Sequence, residues 1–339
     1  MDPVTQGALG AALAQSAARP GETRLAAAIG AAAGLLADLD VLIRSTSDPL
    51  LTLEYHRHFT HSLIFVPVGA LAAALVLWPF LRSRLAFRRI YLFSLLGYSL
   101  SGVLDACTSY GTNLLWPISD ERVAWNLIAI VDPLFTLALL TGVGVAIVKR
   151  VPNAARLGLA FAAAYLMLGL VQQQRAEAVI RQLAEERGHP IDRLLVKPTM
   201  GNQVLWRTIY ETDGVFYVDA VRVGLLSERV YPGDSTPRIV PGRDLRAMPR
   251  DSTAYLDAER FDRFSNGFTQ WHPEIPDVLG DARYSMSPTN LTPLWGIKIE
   301  RNRPDAHPQY LFFRDLPKAE RDDFRDMLLG RPIEPENGG

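Results

Sequence analysis

Over the first 172 residues, long apolar stretches alternate with short polar turns; after Gln172 the apolar runs shorten and charged residues take over. Crossing the hydrocarbon core of a bilayer takes roughly 20 mostly apolar residues. Arg24 to Ile43, Ser62 to Leu81, Ile90 to Tyr110 and Ile128 to Val148 meet that length. Ala154 to Gln172 meets it with Arg156 at its edge, where a long side chain can snorkel to the interface. Pro3 to Ala18 is shorter and rich in Ala and Gly. It reads either as a tilted span packed through small residues or as a re-entrant helix. The pattern predicts a membrane all-α helical bundle of five to six transmembrane helices over residues 1–172.

Residues 173–339 read as a small soluble α+β domain. Gln172 to Gly188 continues the last membrane helix into solvent, and Gly188 and Pro190 end it. Gln203 to Glu211 and Val215 to Val223 alternate and are rich in strand formers, with Asp213-Gly214 between them as a hairpin turn. Leu294 to Ile299 and Gln309 to Phe313 predict further strands, and Lys318 to Leu329 a helix closed by Gly330.

Composition sharpens this division. The chain has 339 residues, 48% of them hydrophobic, and a formal net charge of -1, which offers no electrostatic reason to expect a nucleic-acid partner. The single cysteine, Cys107, rules out an internal disulfide. No cleavable leader is expected, because Asp2 and Pro3 stand where a basic n-region would be. Positive residues gather in alternate turns: Arg19 and Arg24; Arg82, Arg84, Arg88 and Arg89; Lys149, Arg150 and Arg156. The other turns hold only Arg44, Arg57 and Arg122. Basic turns stay cytoplasmic, which predicts a multi-pass protein of the bacterial inner membrane with its C-terminal domain in the periplasm.

Polar groups in the apolar half converge on the outer side. Asp38 and Asp40 end the second segment; His56, His58 and His61 precede the third; Asp105, Thr108 and Ser109 lie late in the fourth; Asp132 begins the fifth. An ionisable residue inside an apolar segment is costly and marks a functional candidate, Asp105 above all. Blander readings accompany each piece: helix-end aspartates, an exposed histidine loop, and Thr60 or Ser62 as an N-cap. Asp38 and Asp40 are two apart, so on a helix they point to different faces, and joint metal binding requires an unwound turn. Imidazole and carboxylate together suit a divalent metal, zinc first, with manganese or iron as alternatives. Arg57, between the histidines, has the fork that holds a phosphate bidentately, or else anchors a headgroup. Phosphoester hydrolysis near a membrane surface is the chemistry these parts fit, with membrane lipid as the immediate environment.

Four ordered motifs carry a family resemblance. Met1-Asp2-Pro3-Val4-Thr5-Gln6-Gly7, Asp38-Leu39-Asp40, His56-Arg57-x-x-Thr60-His61-Ser62, and Leu104-Asp105-x-x-Thr108-x-x-Gly111 followed by Trp116-Pro117 resemble the YdjM-like membrane proteins. These are described as metal-dependent hydrolases of the bacterial inner membrane, distantly similar to zinc-dependent phospholipase C. By position the resemblance implies His56, His61, Asp40 and Asp105 as metal ligands. Arg57, Asp38 and Thr108 are then the candidate catalytic groups, with Gln6, Thr60 and Ser101 around them. Two departures stand out: many members carry histidine where this chain has Gln6 and where it has Ser101. The leading expectation is therefore a metal-dependent hydrolase of a phosphoester or lipid-linked substrate. The alternative is a non-enzymatic membrane scaffold or sensor with a degenerate metal site. Transport through the apolar half is disfavoured, because the ionisable groups gather at one face.

Overall fold

The Asp2 carboxylate accepts hydrogen bonds from Val4 N and Thr5 N, capping the first helix, α1 (Pro3–Ser16). α1 is short but deeply enclosed, with Thr5 through Ala12 all buried. It crosses α2 (Thr23–Leu36) and α5 (Phe87–Ser99) through glycines. A Cβ on Gly10 would fall 2.4 Å from Gly30 O, and one on Gly97 also 2.4 Å from Gly30 O. No residue larger than glycine fits there, so the three backbones pack directly on one another.

The structure, a computed structural model, describes residues 1–333 and divides into two compact units. The first comprises Met1–Ile43, Tyr55–Val171 and Met200–Asn202. After α2 the chain tightens into a 3-10 turn, Ala37–Leu42, and a short α3 (Leu51–Tyr55) follows. Then come two 3-10 turns, Phe59–His61 and Leu63–Phe65, and α4 (Val66–Leu81). α5 is followed by α6 (Ser101–Ala106), α7 (Pro133–Lys149) and α8 (Pro152–Glu186).

Among the described residues, three helices are long and apolar enough to cross a membrane: Thr23–Leu42, Leu63–Leu81 and Pro152–Glu186. That is fewer than the five to six read from hydropathy, and the reasons are local. The expected span from Ile90 to Tyr110 breaks at Leu100, where φ is -106 and ψ is 7, leaving α5 and α6 as separate short pieces. The expected span from Ile128 to Val148 loses its first residues because Asp132 caps the helix and Pro133 starts it. The resulting 17-residue α7 is about 26 Å long at helical rise, against about 30 Å of hydrocarbon.

The second unit comprises Arg44–Glu54, Gln172–Thr199 and the chain from Gln203 onward. Two four-stranded antiparallel sheets form it, each in simple sequence order. The first holds β1 (Arg193–Pro198), β2 (Leu205–Thr212), β3 (Val215–Val223) and β4 (Glu228–Pro237). α9 (Pro241–Asp244) and α10 (Thr253–Phe264) lead to the second, made of β5 (Thr269–Trp271), β6 (Val278–Asp281), β7 (Trp295–Lys298) and β8 (Gln309–Phe312). α11 (Lys318–Leu329) ends at Gly330 in the left-handed region, as the sequence indicates. Asp213 and Gly214 both take positive φ at the β2–β3 turn, the geometry an Asp-Gly hairpin provides. β2 is buried along its whole length: Trp206 and Tyr210 pack with Ala176, Ile180 and Ala184 of α8, while Leu205 packs with Met327 of α11. Alternate residues of one strand therefore serve two separate hydrophobic layers.

Candidate metal centre

His61 lies at the middle of the polar cluster, buried, at the end of the 3-10 turn Phe59–His61 and before the apolar run Leu63–Leu81. Its two ring nitrogens face different groups. Nε2 is 3.2 Å from Asp38 Oδ1 and 3.1 Å from Asp105 Oδ2. Nδ1 is 3.2 Å from Asp40 Oδ2 and 3.0 Å from Thr60 Oγ1. The two aspartates that sequence spacing sends to different faces thus meet the same imidazole from opposite sides. Burial disfavours the charged ring, but Asp105, Asp38 and Asp40 outweigh that and push its pKa up to about 10.

Asp38, His61 and Asp105 each offer one ligand atom, all within 4.8 Å of one another. Asp38 Oδ2 and Asp105 Oδ2 are shielded from solvent and receive no aligned hydrogen bond, although Asp105 Oδ2 lies 3.1 Å from His61 Nε2 and 3.3 Å from Arg57 Nε. Buried carboxylate oxygens without donors are expensive. Two of them beside one imidazole nitrogen form a donor set of the mixed nitrogen and oxygen kind that divalent zinc, manganese or iron takes. The residues present fit such an ion.

Asp40 has a different position. Its carboxylate receives Arg57 N at 2.8 Å and Thr60 Oγ1 at 2.7 Å, and lies 2.8 Å from His56 Nδ1. With its oxygens already accepting hydrogen bonds, Asp40 holds His61 Nδ1 and the His56–Thr60 backbone in place, and leaves His61 Nε2 to face Asp38 and Asp105. His56 is paired with Asp40 and half-buried against Tyr110, outside the three-atom group. His58 packs among aromatic rings, 5.7 Å from that of Trp116.

Arg57 adopts a left-handed backbone, φ 61, which turns its side chain inward. Its Nε is 3.3 Å from Asp105 Oδ2, its Nη1 donates to Thr108 Oγ1 at 3.3 Å, and its guanidinium sits over the Tyr110 ring. Thr108 Oγ1 itself donates to Asp105 O at 2.8 Å. The amino group of Met1 also donates to Asp105 Oδ1. Gln6 and Ser101 are both buried and donate to backbone: Gln6 Nε2 to Ser101 O, Ser101 Oγ to Gly34 O. Asp132 caps α7 and accepts from Tyr165 OH at 2.9 Å.

Three contributors escaped the sequence reading. Gly102 packs against the His61 backbone so closely that a Cβ would fall 1.9 Å from His61 O; a glycine three residues before Asp105 was the available signal. Tyr98 OH donates to Thr60 O at 2.6 Å. Arg122 donates to Tyr110 O and to His56 O, clamping the segment that carries the histidines. Nothing in the local sequence marks either residue.

The chain is 26% identical over 182 residues to the uncharacterized protein YfhP of Bacillus subtilis (strain 168). That alignment covers 53% of this chain and 54% of the relative, so the chain spans about half the length of the curated protein it matches. No solved structure matches the chain. The family model described as YdjM inner membrane protein matches residues 1–176, the stretch that contains every residue of the cluster around His61. With half of its length matched and its apolar helices in that half, the chain belongs to the YdjM inner membrane protein family.

Proposed function

We propose that the helical unit holds a divalent metal on Asp38, His61 and Asp105 and hydrolyses a phosphoester or lipid-linked substrate at the outer membrane face. The observation that carries this is the meeting of three ligand atoms within 4.8 Å, two buried carboxylate oxygens nearby receiving no aligned hydrogen bond. A divalent metal held there would polarise a phosphoester and acidify a water molecule. Three protein donors leave coordination positions open for both. Asp40 and Thr60 keep His61 Nδ1 engaged, which presents Nε2 to the metal. Arg57, whose Nε is buried without an aligned acceptor, is placed to hold a phosphoryl oxygen beside Asp105. The outer-face assignment rests on the basic turns Arg82–Arg89 and Lys149–Arg156.

The second reading is a membrane scaffold with a degenerate site. It is favoured by the commitment of Gln6 and Ser101 to backbone carbonyls at positions where the resemblance implies an imidazole in many members.

Elemental analysis of the detergent-purified full chain separates the two. Near-stoichiometric zinc, manganese or iron, together with phosphoesterase activity that exhaustive chelation abolishes and metal restores, is the expected result. A wild-type protein that takes up no metal on reconstitution, or activity that survives chelation, sinks the hydrolase reading. A reporter fused after Gly339 should score as periplasmic and one fused between Leu81 and Ile90 as cytoplasmic; the reverse would move the site inside.

A further inference from the structure

Two adjacent leucines at the tip of one hairpin in the C-terminal unit are wholly outside any core. Leu225 is 95% exposed and Leu226 is 100% exposed. They lie between β3 and β4 in a tight turn, closed by Gly224 N donating to Ser227 O at 2.8 Å. Single exposed leucines are ordinary. A turn tip normally carries Gly, Asn, Asp, Ser or Pro, so two leucines there run against local preference and point to something that covers them.

The turn's position on α8 says what that is. Gln172 Nε2 donates to Val223 O at 2.9 Å, and Arg175 Nη1 donates to Gly224 O at 2.9 Å. Further along α8, Arg187 pairs with Asp219 at 2.7 Å. β3 therefore runs antiparallel to α8 and reaches Gln172 as it ends. Gln172 is the first polar side chain after the apolar run from Leu157 to Val171 of the same helix. That run presents Leu157, Met167, Leu168 and Val171 outward. The base of the turn is thus bonded to the first polar residues that follow the apolar run in the sequence. Arg222 and Arg229 are direct cross-strand partners behind the turn, Arg222 also donating to Leu328 O, while Arg175 pairs with Glu228 at 3.2 Å. Leucine at the tip with arginines behind it matches the layering of a bilayer edge, acyl chains below and anionic phosphates above.

We propose that the Gly224–Ser227 turn is an interfacial anchor, with Leu225 and Leu226 entering the headgroup and acyl boundary of the bilayer that takes up the apolar half of α8. The anchor fixes the first sheet against the membrane surface at a second point beside the helix, and it does not depend on the chemistry at His61.

Nitroxide labels at Leu226→Cys and, separately, Asp213→Cys test this in the full chain reconstituted into phosphatidylcholine and phosphatidylglycerol nanodiscs. Asp213 sits in the turn at the other end of β3 and serves as the water-exposed reference; native Cys107 is buried, and the unsubstituted chain gives the labelling blank. Both substitutions are at turn positions, and matching unfolding midpoints verify that the fold is kept. The expected result is collision with oxygen exceeding collision with a water-soluble nickel chelate at Leu226→Cys, and the reverse at Asp213→Cys. Nickel-favoured collisions at both positions would overturn the proposal. So would low collisions with both reagents at Leu226→Cys, which would mean that protein covers the tip.

Discussion

Among the described residues, each unit contains one group of two aspartates and a histidine, and the two groups differ in how completely the protein's own cations satisfy them. In the helical unit, Asp38, His61 and Asp105 come together with Asp38 Oδ2 lacking a donor. Asp105 Oδ2 faces His61 Nε2 and Arg57 Nε without an aligned hydrogen bond, while the Met1 amino group takes only Asp105 Oδ1. In the C-terminal unit, Asp48, Asp257 and His307 are as close, but Arg260 occupies the middle. It donates to Asp48 at 2.9 Å, Asp257 at 2.7 Å and Glu54 at 2.7 Å, and His307 Nδ1 takes the remaining Asp257 oxygen at 2.6 Å. A guanidinium with five donors is already the cation that the second group requires. The proximity of acidic and imidazole groups is thus a poor indicator of a metal site; carboxylate oxygens left without an aligned hydrogen bond after the protein's own bonds are made are a better one. On this comparison the Arg260 group is a structural tie holding Arg44–Glu54 to α10.

The largest expected difference is in metal content. His61→Gln or Asp105→Asn should remove bound metal from the purified chain, whereas Asp257→Asn combined with His307→Ala should leave its stoichiometry unchanged. Equal loss from both sets would erase the contrast. Gly102→Ala comes next, because its methyl would occupy the place of His61 O. Overpacking of this kind typically destabilises by about 1–3 kcal/mol, and the variant should show a lower unfolding midpoint together with weakened metal uptake. A Gly102→Ala protein with wild-type affinity would show that the α6 contact does not position His61.

Asp40→Asn should retain metal but bind it about 10- to 100-fold more weakly, the usual effect of removing a carboxylate behind a ligating histidine. Competition with a calibrated chelator reads this directly, and complete loss would instead make Asp40 a ligand. The smallest effect belongs to Arg260→Met, expected to lower stability by about 1–2 kcal/mol at neutral pH, between the values for exposed pairs and for buried charged hydrogen bonds. Burial of Asp48 opposes its ionisation, but the hydrogen bond from Arg260 outweighs that and holds its pKa below the ordinary range. The folded state then binds fewer protons than the unfolded state. The stabilisation is complete above about pH 4 and is lost as pH falls through the lower folded value. The gap in unfolding midpoint between wild type and Arg260→Met should accordingly narrow below about pH 4. A gap independent of pH would assign the effect to packing.

Much of the soluble unit was legible because its signals are local. Asp213-Gly214 requires a hairpin, and the alternation on either side of it becomes β2 and β3. Gly330 ends α11 because only a residue tolerant of positive φ fits there. Span counting failed at Leu100 and Asp132 for a comparable reason: hydropathy averages over a window, whereas a helix ends at one backbone torsion or one capping side chain.

The sequence alone determined that apolar helices come first, that mixed α and β elements follow, and that aspartates and histidines from distant segments belong to one polar cluster. These follow from composition and period, which every stretch of chain carries by itself. Only the tertiary structure decided that Asp38 joins Asp105 at His61 Nε2 while Asp40 supports Nδ1, and that Arg260 closes the other cluster. Those assignments depend on which atoms face which across separate helices, set by contacts as close as Gly102 against His61 O, and no pattern within a single segment encodes them.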